Sequence, residues 1–311
     1  MKKAFSVISN FSKDAVEILE KNNIDLTIDN SENIPNTEEV ISLLQEYDIL
    51  IIGVKTLVSK EILKHIQSPK IIATLSIGLD HIDKEVRESN LVKVINIKDA
   101  NTISVAEHIF SLILSLNKRI LESNNLVLQK RGNKKNLHER PEDISNKKLG
   151  LIGAGSITKE VIKIAKIFNM PICCYTKHPD NHKDLQDLGV VFKTLDDVLR
   201  ESDIINISLP LNEETNNFIS KEKIDLIKPT CTFINTSRTA IVDTKALIEK
   251  AEMYNTFYVG LDIDLNEYEE LLSIYRNNVI VTPHIAGVSK QAIDRMDYEL
   301  AEKIVSYLTE D

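Results

Sequence analysis

Two kinds of chemistry are written into this chain of 311 residues. The first is anion binding. The apolar run LGLIG (149–153) leads into Gly153-Ala154-Gly155-Ser156-Ile157-Thr158 and then a helical stretch, KEVIKIAKIFN (159–169). Strand, glycine turn and helix in that order set backbone N–H groups and the positive end of a helix dipole before an anion. Gly153 permits the tight turn, and Gly155 lets a pyrophosphate approach the backbone. The third glycine of such a turn is replaced by Thr158, which implies a slightly displaced helix and weaker dinucleotide binding. The second chemistry is acid–base. Arg238 follows the apolar run CTFINTS (231–237), Glu267 lies five residues beyond Asp262 near the end of YVGLDI (258–263), and His284 closes VIVTPH (279–284). Singly, a strand-end arginine is more often a salt bridge and a lone histidine a satisfied surface group. On consecutive strand ends beyond a dinucleotide turn, where doubly wound sheets place their ligands, the three read as one site.

The strand after the glycine turn, PICCYT (171–176), bears on which dinucleotide is bound. An NAD site ends this strand with an acidic residue that holds the ribose 2′-hydroxyl. Here the strand ends Tyr175-Thr176-Lys177-His178, so no carboxylate is available, while Lys177 and His178 can meet a 2′-phosphate. NADP(H) is therefore favoured over NAD(H). With Lys177 an ordinary loop lysine, NADH would bind without selectivity.

The elements that must position these residues follow from hydrophobic periodicity. Short runs rich in Ile and Val alternate with helix-period segments throughout. In the first third the strands are KAFSVIS (3–9), IDLTI (24–28), DILIIG (48–53), KIIATLS (70–76) and VKVINI (92–97). One long helix is predicted over 104–129, with Ser104 and Glu107 as a capping box at its start. A charged loop (130–148) follows, in which His138, Glu139 and Arg140 match no metal spacing; no metal site is expected. Alternation then resumes at 149, and SKQAIDRMDYELAEKIVSYL (289–308) is an amphipathic helix. Near-continuous apolar strands require burial on both faces, which is the condition of a parallel sheet with helices on each side. The fold class is thus α/β, with two doubly wound parallel-sheet domains.

Composition narrows the partners. A formal net charge of -9 argues against nucleic acid, because phosphate backbones need a concentrated positive surface. No stretch approaches the roughly 18 apolar residues of a membrane span, and the N-terminal run is too broken for a signal segment, so a cytoplasmic protein is expected. Cys173, Cys174 and Cys231 lack ligand spacing, and the adjacent pair faces opposite sides of a strand; structural cysteines in a reducing compartment are expected.

Taken together the chain resembles, over nearly its full length, the D-isomer-specific 2-hydroxyacid dehydrogenase family. The matching segments are SIGLDHID (76–83), NTISVAEH (101–108), GLIGAGSI (150–157), LPLNEET (209–215), INTSRTAIVDTKAL (234–247), GLDIDLNE (260–267) and VTPHIAG (281–287). The first of these, with YTKH (175–178), is most similar to the glyoxylate/hydroxypyruvate reductase branch, which favours NADPH. The resemblance implies that Arg238 holds the carboxylate of a small 2-oxo or 2-hydroxy acid, that His284 exchanges the proton on its oxygen, and that Glu267 keeps the imidazole charged. It implies cofactor contacts at Gly153, Gly155, Ser156, Ile157, Thr176, Lys177, His178, Pro210, Thr215, Thr236, Asp262 and Gly287. Substrate carboxylate contacts are implied at the backbone of Ile77 and Gly78, and Asp80 shapes its own loop. The implied domains are discontinuous: 1–98 with the C-terminal helix 286–311 for substrate, flavodoxin-like, and 99–285 for dinucleotide, Rossmann-type. Substrate would then bridge the domains and their closure would exclude water. The helix 104–120, apolar on more than one face, suggests a homodimer.

Departures from the family pattern are Thr158, Thr239 for a glycine after Arg238, Tyr268 for a proline after Glu267, and the absence of tryptophan. They bear on substrate scope more than on reaction type. Glutamate rather than glutamine at 267 argues against formate oxidation. Two other readings stay open: a phosphoglycerate dehydrogenase-like enzyme, and a non-enzymatic dinucleotide-sensing protein of the corepressor type.

Overall fold

Segments too apolar to leave either face in water become the strands. The computed structural model describes residues 1–31, 33–263 and 277–310. Its internal contacts divide the chain into two units, Met1–Asn101 with Ser289–Asp311, and Thr102–Val288. The first unit holds β1 (Lys2–Ser6), β2 (Ile24–Ile28), β3 (Ile49–Ile52), β4 (Lys70–Thr74) and β5 (Val92–Asn96), all parallel, in the order β2-β1-β3-β4-β5. That is the flavodoxin-like order. Its helices are α1 (Lys13–Lys21), α2 (Thr37–Glu46), the short α3 (Lys84–Arg87) and the C-terminal helix Lys290–Glu310. Strand alternation sorts the apolar residues into two layers. Ile49 and Ile51 pack with Ala15 and Leu19 of α1 and with Leu300 and Ile304 of the C-terminal helix. Leu50 and Ile52 pack with Val40 and Leu44 of α2 and Val86 of α3.

One polar group is caught inside the first of these layers. Ser12 caps α1 through its hydroxyl, which accepts from Ala15 N at 3.3 Å, while its own N–H donates to Asp297 Oδ2 at 2.7 Å. Asp297 is fully buried, and its Oδ1 has no hydrogen-bond partner. Burial pushes this carboxyl up from 3.8 to about 6, the Ser12 bond working the other way.

In the second unit β6 (Leu149–Ile152), β7 (Ile172–Tyr175), β8 (Val191–Phe192), β9 (Ile204–Ile207), β10 (Thr232–Asn235), β11 (Tyr258–Asp262) and β12 (Val279–Thr282) form a parallel sheet ordered β12-β11-β10-β9-β6-β7-β8. Counted from β6 this is the dinucleotide-binding order 3-2-1-4-5-6 with a further strand, and the order reverses between β6 and β9. Its described helices are α4 (Thr102–Asn117), α5 (Ile120–Leu128), α6 (Ser156–Ile167), α7 (Lys183–Asp187), α8 (Leu195–Glu201), α9 (Lys221–Asp225) and α10 (Thr244–Met253). The α4 and α6 side covers Leu149, Leu151 and Cys174, whereas α8 and α10 cover Ile152, Cys173 and Ile205. Cys173 and Cys174 therefore enter opposite layers, and all three cysteines are buried and unbridged. Among the described residues no helix is long and apolar enough to cross a membrane.

Two local expectations are corrected. The helix predicted over 104–129 is two helices, because Arg119 takes a left-handed conformation (φ 57°) between α4 and α5. The cause is tertiary. The Arg119 side chain is wholly buried, its Nε donating to Glu122 Oε2 at 2.7 Å and its guanidinium lying 5.1 Å from the Tyr258 ring centroid. Nor is Ser104 a helix cap. It lies inside α4, which begins at Thr102, and its hydroxyl donates to Ala286 O at 2.8 Å.

The raised Asp297 carboxyl makes stability depend on pH. Its contribution favours the folded state below pH 3.8 and is lost as pH rises through about 6, where the native state must hold a buried charge. Asp297→Asn should therefore raise the melting temperature at pH 7.5. The gain should shrink steadily towards pH 4, as followed by thermal denaturation at half-unit pH steps; a gain independent of pH would contradict the assignment.

Candidate active site

The glycine turn is built from both sides. Gly153 sits at φ 109°, and a Cβ there would lie 2.2 Å from Ser208 O, so no side chain fits between β6 and the end of β9. Gly155 is the N-cap of α6, has ordinary dihedrals, and nothing lies within 4 Å of an added Cβ. The space before the helix N-terminus is open. No acidic residue stands in the first turn of α6, so its positive end is not neutralised from within. Thr158, in the place of the third glycine, is fully buried and its hydroxyl donates to Gly153 O at 2.9 Å. It ties the turn to the helix. Ser156 and Ile157 are half-buried at the start of α6. These features fit a dinucleotide pyrophosphate.

At the end of β7, Thr176 is half-buried while Lys177 and His178 are exposed. Lys177 Nζ pairs with both oxygens of Glu214, at 3.0 and 2.9 Å. The loop after β9 that carries Glu214 is closed by Thr215, whose hydroxyl donates to Pro210 O at 2.6 Å and accepts from Asn212 N at 2.8 Å.

The candidate acid–base residues Arg238 and His284 stand on the carboxyl edge of the same sheet. At the end of β10 the Asn235 side chain folds the turn that carries Arg238. Its Oδ1 accepts from Ser237 N at 3.0 Å and Ser237 Oγ at 2.7 Å, and its Nδ2 donates to Arg238 O at 3.0 Å. Thr236 and Arg238 are half-buried, and Arg238 Nη1 donates to Ser237 O at 3.1 Å.

At the ends of β11 and β12, Asp262 is only 2% exposed. Its Oδ1 accepts from Ile285 N at 2.9 Å and from the Thr282 hydroxyl, and its Oδ2 accepts from Ala286 N at 2.8 Å. Hydrogen bonds to a charged acceptor are worth about 1.5–3 kcal/mol each, so this carboxylate fastens the whole turn. His284 is at its tip, half-buried, with φ 52°, and Gly287 follows, also half-buried. From the other side α4 grips the turn with two residues one helical turn apart. Ser104 donates to Ala286 O at 2.8 Å, and His108 Nε2 lies 3.0 Å from Thr282 Oγ1. The Thr282 hydroxyl hydrogen is committed to Asp262, so the proton of His108 is on Nε2. Burial lowers the His108 pKa, against the pull of the Asp262 charge.

In the first unit the loop after β4 is held by a polar chain: His81 Nε2 lies 3.0 Å from Thr74 Oγ1, Thr74 Oγ1 lies 2.9 Å from Ser76 Oγ, and Ser76 donates to Gly78 O at 2.7 Å. Asn96 Nδ2 donates to Ile77 O at 2.9 Å. Both loop carbonyls are thus engaged, while the Ile77 side chain is exposed.

Structure thus brings Arg238 and His284 onto one sheet edge, after β10 and β12 with β11 between them. Glu267, and with it Tyr268, lies outside the described residues. Asn235, Thr282 and His108 build the site without having been singled out by their sequence, and Ser104 joins them although its sequence marked it only as a helix cap. The only signal they carry there is polarity at strand ends and a four-residue spacing on an otherwise apolar helix.

The two glycines make separable predictions. Gly153→Ala should cost about 3 kcal/mol or more, from positive φ and the approach of Ser208, and should lower the melting temperature or prevent folding. Gly155→Ala should fold normally yet weaken dinucleotide binding at least about ten-fold, as titrated by nicotinamide fluorescence, because its methyl occupies the space before α6.

Comparison with known proteins agrees with this geometry. Residues 110–286 match the family model described as D-isomer specific 2-hydroxyacid dehydrogenase, NAD binding domain. The chain is 33% identical over 303 residues to the hydroxypyruvate reductase of Thermotoga maritima, covering 95% of each. It is 32% identical to the glyoxylate reductase of Thermococcus litoralis, covering 86% of this chain and 82% of the relative. Among solved structures it is similar to an acyclic imino acid reductase in complex with NADPH and D-Arg, with TM-score 0.88 and 28% identity, covering 100% of this chain and 98% of that one. It is also similar to the D-lactate dehydrogenase of Aquifex aeolicus complexed with NAD and lactic acid, with TM-score 0.82 and 27% identity, covering 99% and 96%. The glycine turn, the strand order and these matches over both units together place the chain in the D-isomer specific 2-hydroxyacid dehydrogenase family, as an oxidoreductase dependent on a nicotinamide dinucleotide and acting on D-2-hydroxy acids and their 2-oxo counterparts.

Proposed function

We propose that the protein works as a reductase of small 2-oxo acids of the glyoxylate and hydroxypyruvate type, with NADP(H) preferred to NAD(H). The observation that carries this reading is the Asp262-fastened turn, which presents His284 on the sheet edge that also carries Arg238. Bound dinucleotide supplies the hydride. Arg238 holds the substrate carboxylate with its planar, permanently charged fork and polarises the neighbouring carbonyl. His284 gives its proton to the carbonyl oxygen as that oxygen gains charge, and Glu267 is assigned as its acidic partner in this step. The backbone of Ile77 and Gly78 is assigned to the carboxylate as well. The pyrophosphate is assigned to Gly153, Gly155, Ser156 and Ile157, the 2′-phosphate to Lys177 and His178, and Thr176 to the dinucleotide beside them. Pro210, Thr215, Thr236 and Gly287 are assigned to the dinucleotide as well, and Asp262 to its nicotinamide side. The preference for NADP(H) is supported by Lys177 and His178 standing exposed at the end of β7, where the strand itself supplies no carboxylate. Reduction of a 2-imino acid is a second reading, favoured by the fit to the NADPH-bound imino acid reductase.

The same reading includes a homodimer in the cytoplasm. α5 leaves Ile120, Leu121, Val127 and Leu128 exposed, at 49–73%, more apolar surface than a short monomeric helix usually shows. Three buried thiols without a bridge are the pattern of a reducing compartment.

Loss of nicotinamide absorbance should be followed with glyoxylate, hydroxypyruvate and pyruvate, with and without ammonium, using NADPH and NADH. Rapid oxidation that prefers NADPH is expected. It should fall by about 10³-fold or more in kcat for His284→Ala, whose loss removes the proton donor. Acceleration only with ammonium would favour the imino acid reading. No turnover with any of these, despite tight dinucleotide binding, would reject the proposal.

A further inference from the structure

The loop after β9 delivers a carboxylate to the place where β7 has none. Glu214 is held there by its own loop: Asn212 Oδ1 accepts from Glu214 N at 2.9 Å and from Thr215 N at 3.0 Å, while Thr215 Oγ1 donates to Pro210 O. Just beyond, the Phe218 ring stacks on Tyr175 at the end of β7, centroids 5.9 Å apart, fixing the loop beside that strand. Glu214 then reaches Lys177 with both oxygens, at 3.0 and 2.9 Å. Both side chains face solvent, 65% exposed for Lys177 and 73% for Glu214. An exposed pair of this kind is weak, so its partners exchange readily.

We propose that Lys177 and Glu214 form a two-sided selector for the dinucleotide: Glu214 supplies the acceptor for the ribose 2′-hydroxyl of NAD(H), and Lys177 supplies the cation for the 2′-phosphate of NADP(H). The proposal rests on the cofactor site described under Proposed function and adds a specificity-determining residue that lies on a different strand's loop from the expected one. Its physics is a competition. Two anions, the Glu214 carboxylate and the 2′-phosphate, want one ammonium, and they repel each other. NADPH must therefore dismantle the ion pair to bind, whereas NADH leaves it in place and uses the free lone pairs of Glu214. Both groups are charged at neutral pH, and their pairing, which raises the Lys177 pKa and lowers that of Glu214, works in the same direction. An enzyme built this way accepts both dinucleotides, and its preference follows ionic strength, because salt screens the exposed phosphate–ammonium contact.

The two halves of the selector move in opposite directions when altered, which makes the test decisive. Dissociation constants for NADPH and NADH should be measured by nicotinamide fluorescence for wild type, Glu214→Ala and Lys177→Gln. Both positions are exposed, and unchanged melting temperatures will confirm that the variants fold. Glu214→Ala should bind NADPH about three-fold tighter and NADH about three-fold weaker, the scale of one exposed charged contact. Lys177→Gln should lose at least about ten-fold for NADPH and change little for NADH. If Glu214→Ala shifts both dinucleotides in the same direction, or neither, while Lys177→Gln behaves as expected, the selector is wrong and the cofactor site stands. If Lys177→Gln leaves NADPH affinity unaltered, or wild type binds neither dinucleotide, the site proposed at the end of β7 falls and the selector with it.

Discussion

A buried carboxylate holds the reactive edge of this protein in shape. Asp262 ends β11, almost without exposure, and commits both its oxygens to the turn that follows β12: two backbone N–H groups and the Thr282 hydroxyl. A charge in that position is tolerable only because each oxygen has a donor. The arrangement stabilises a backbone that would otherwise be unfavourable, since His284 takes up a left-handed conformation that few residues other than glycine adopt without help. Strain at the tip is offset by charge-assisted bonds at the base. The helix α4 adds a second grip through Ser104 and His108, so the turn is fastened to the strand beside it and to the helix behind it.

Arg238 is prepared differently. Its turn is organised by the amide of Asn235, which bonds in both directions across three residues. An amide is suited to this because it can donate and accept at once, where a carboxylate could only accept. Arg238 and His284 thus stand on one edge of a parallel sheet, each on a turn locked by a buried polar residue at the end of a strand. The glycine turn, at the point where strand order reverses, belongs to the same edge. It is the pattern by which doubly wound sheets collect ligands from separate loops.

Much of this is legible in the amino-acid sequence. Strands buried on both faces announce themselves as unbroken Ile and Val runs, and a glycine turn between strand and helix is a local pattern. What is not legible has its cause far away in the chain. Ser104 and Glu107 look like a helix cap, but the hydroxyl of Ser104 is taken by Ala286, 182 residues on. The chain breaks at Arg119 without glycine or proline, where its side chain, paired locally with Glu122, is buried against the face of Tyr258 on β11. The end of β7, Tyr175-Thr176-Lys177-His178, holds no carboxylate, yet one reaches Lys177 from Glu214, on another strand's loop. Local periodicity reports burial; it does not report which distant partner a polar group will find.

The discontinuous first unit also sets an order of assembly. Its sheet needs the helix Lys290–Glu310, whose Leu300, Ala301 and Ile304 cover Ile49, Ile51 and Ile71. All of the second unit, from Thr102 to Val288, lies in the chain between the sheet and its missing cover. On the ribosome, then, the half translated first is completed last. The second unit can close its own core while the five parallel strands of the first wait with one apolar layer covered by α1 alone, a partly open surface until the helix Lys290–Glu310 emerges.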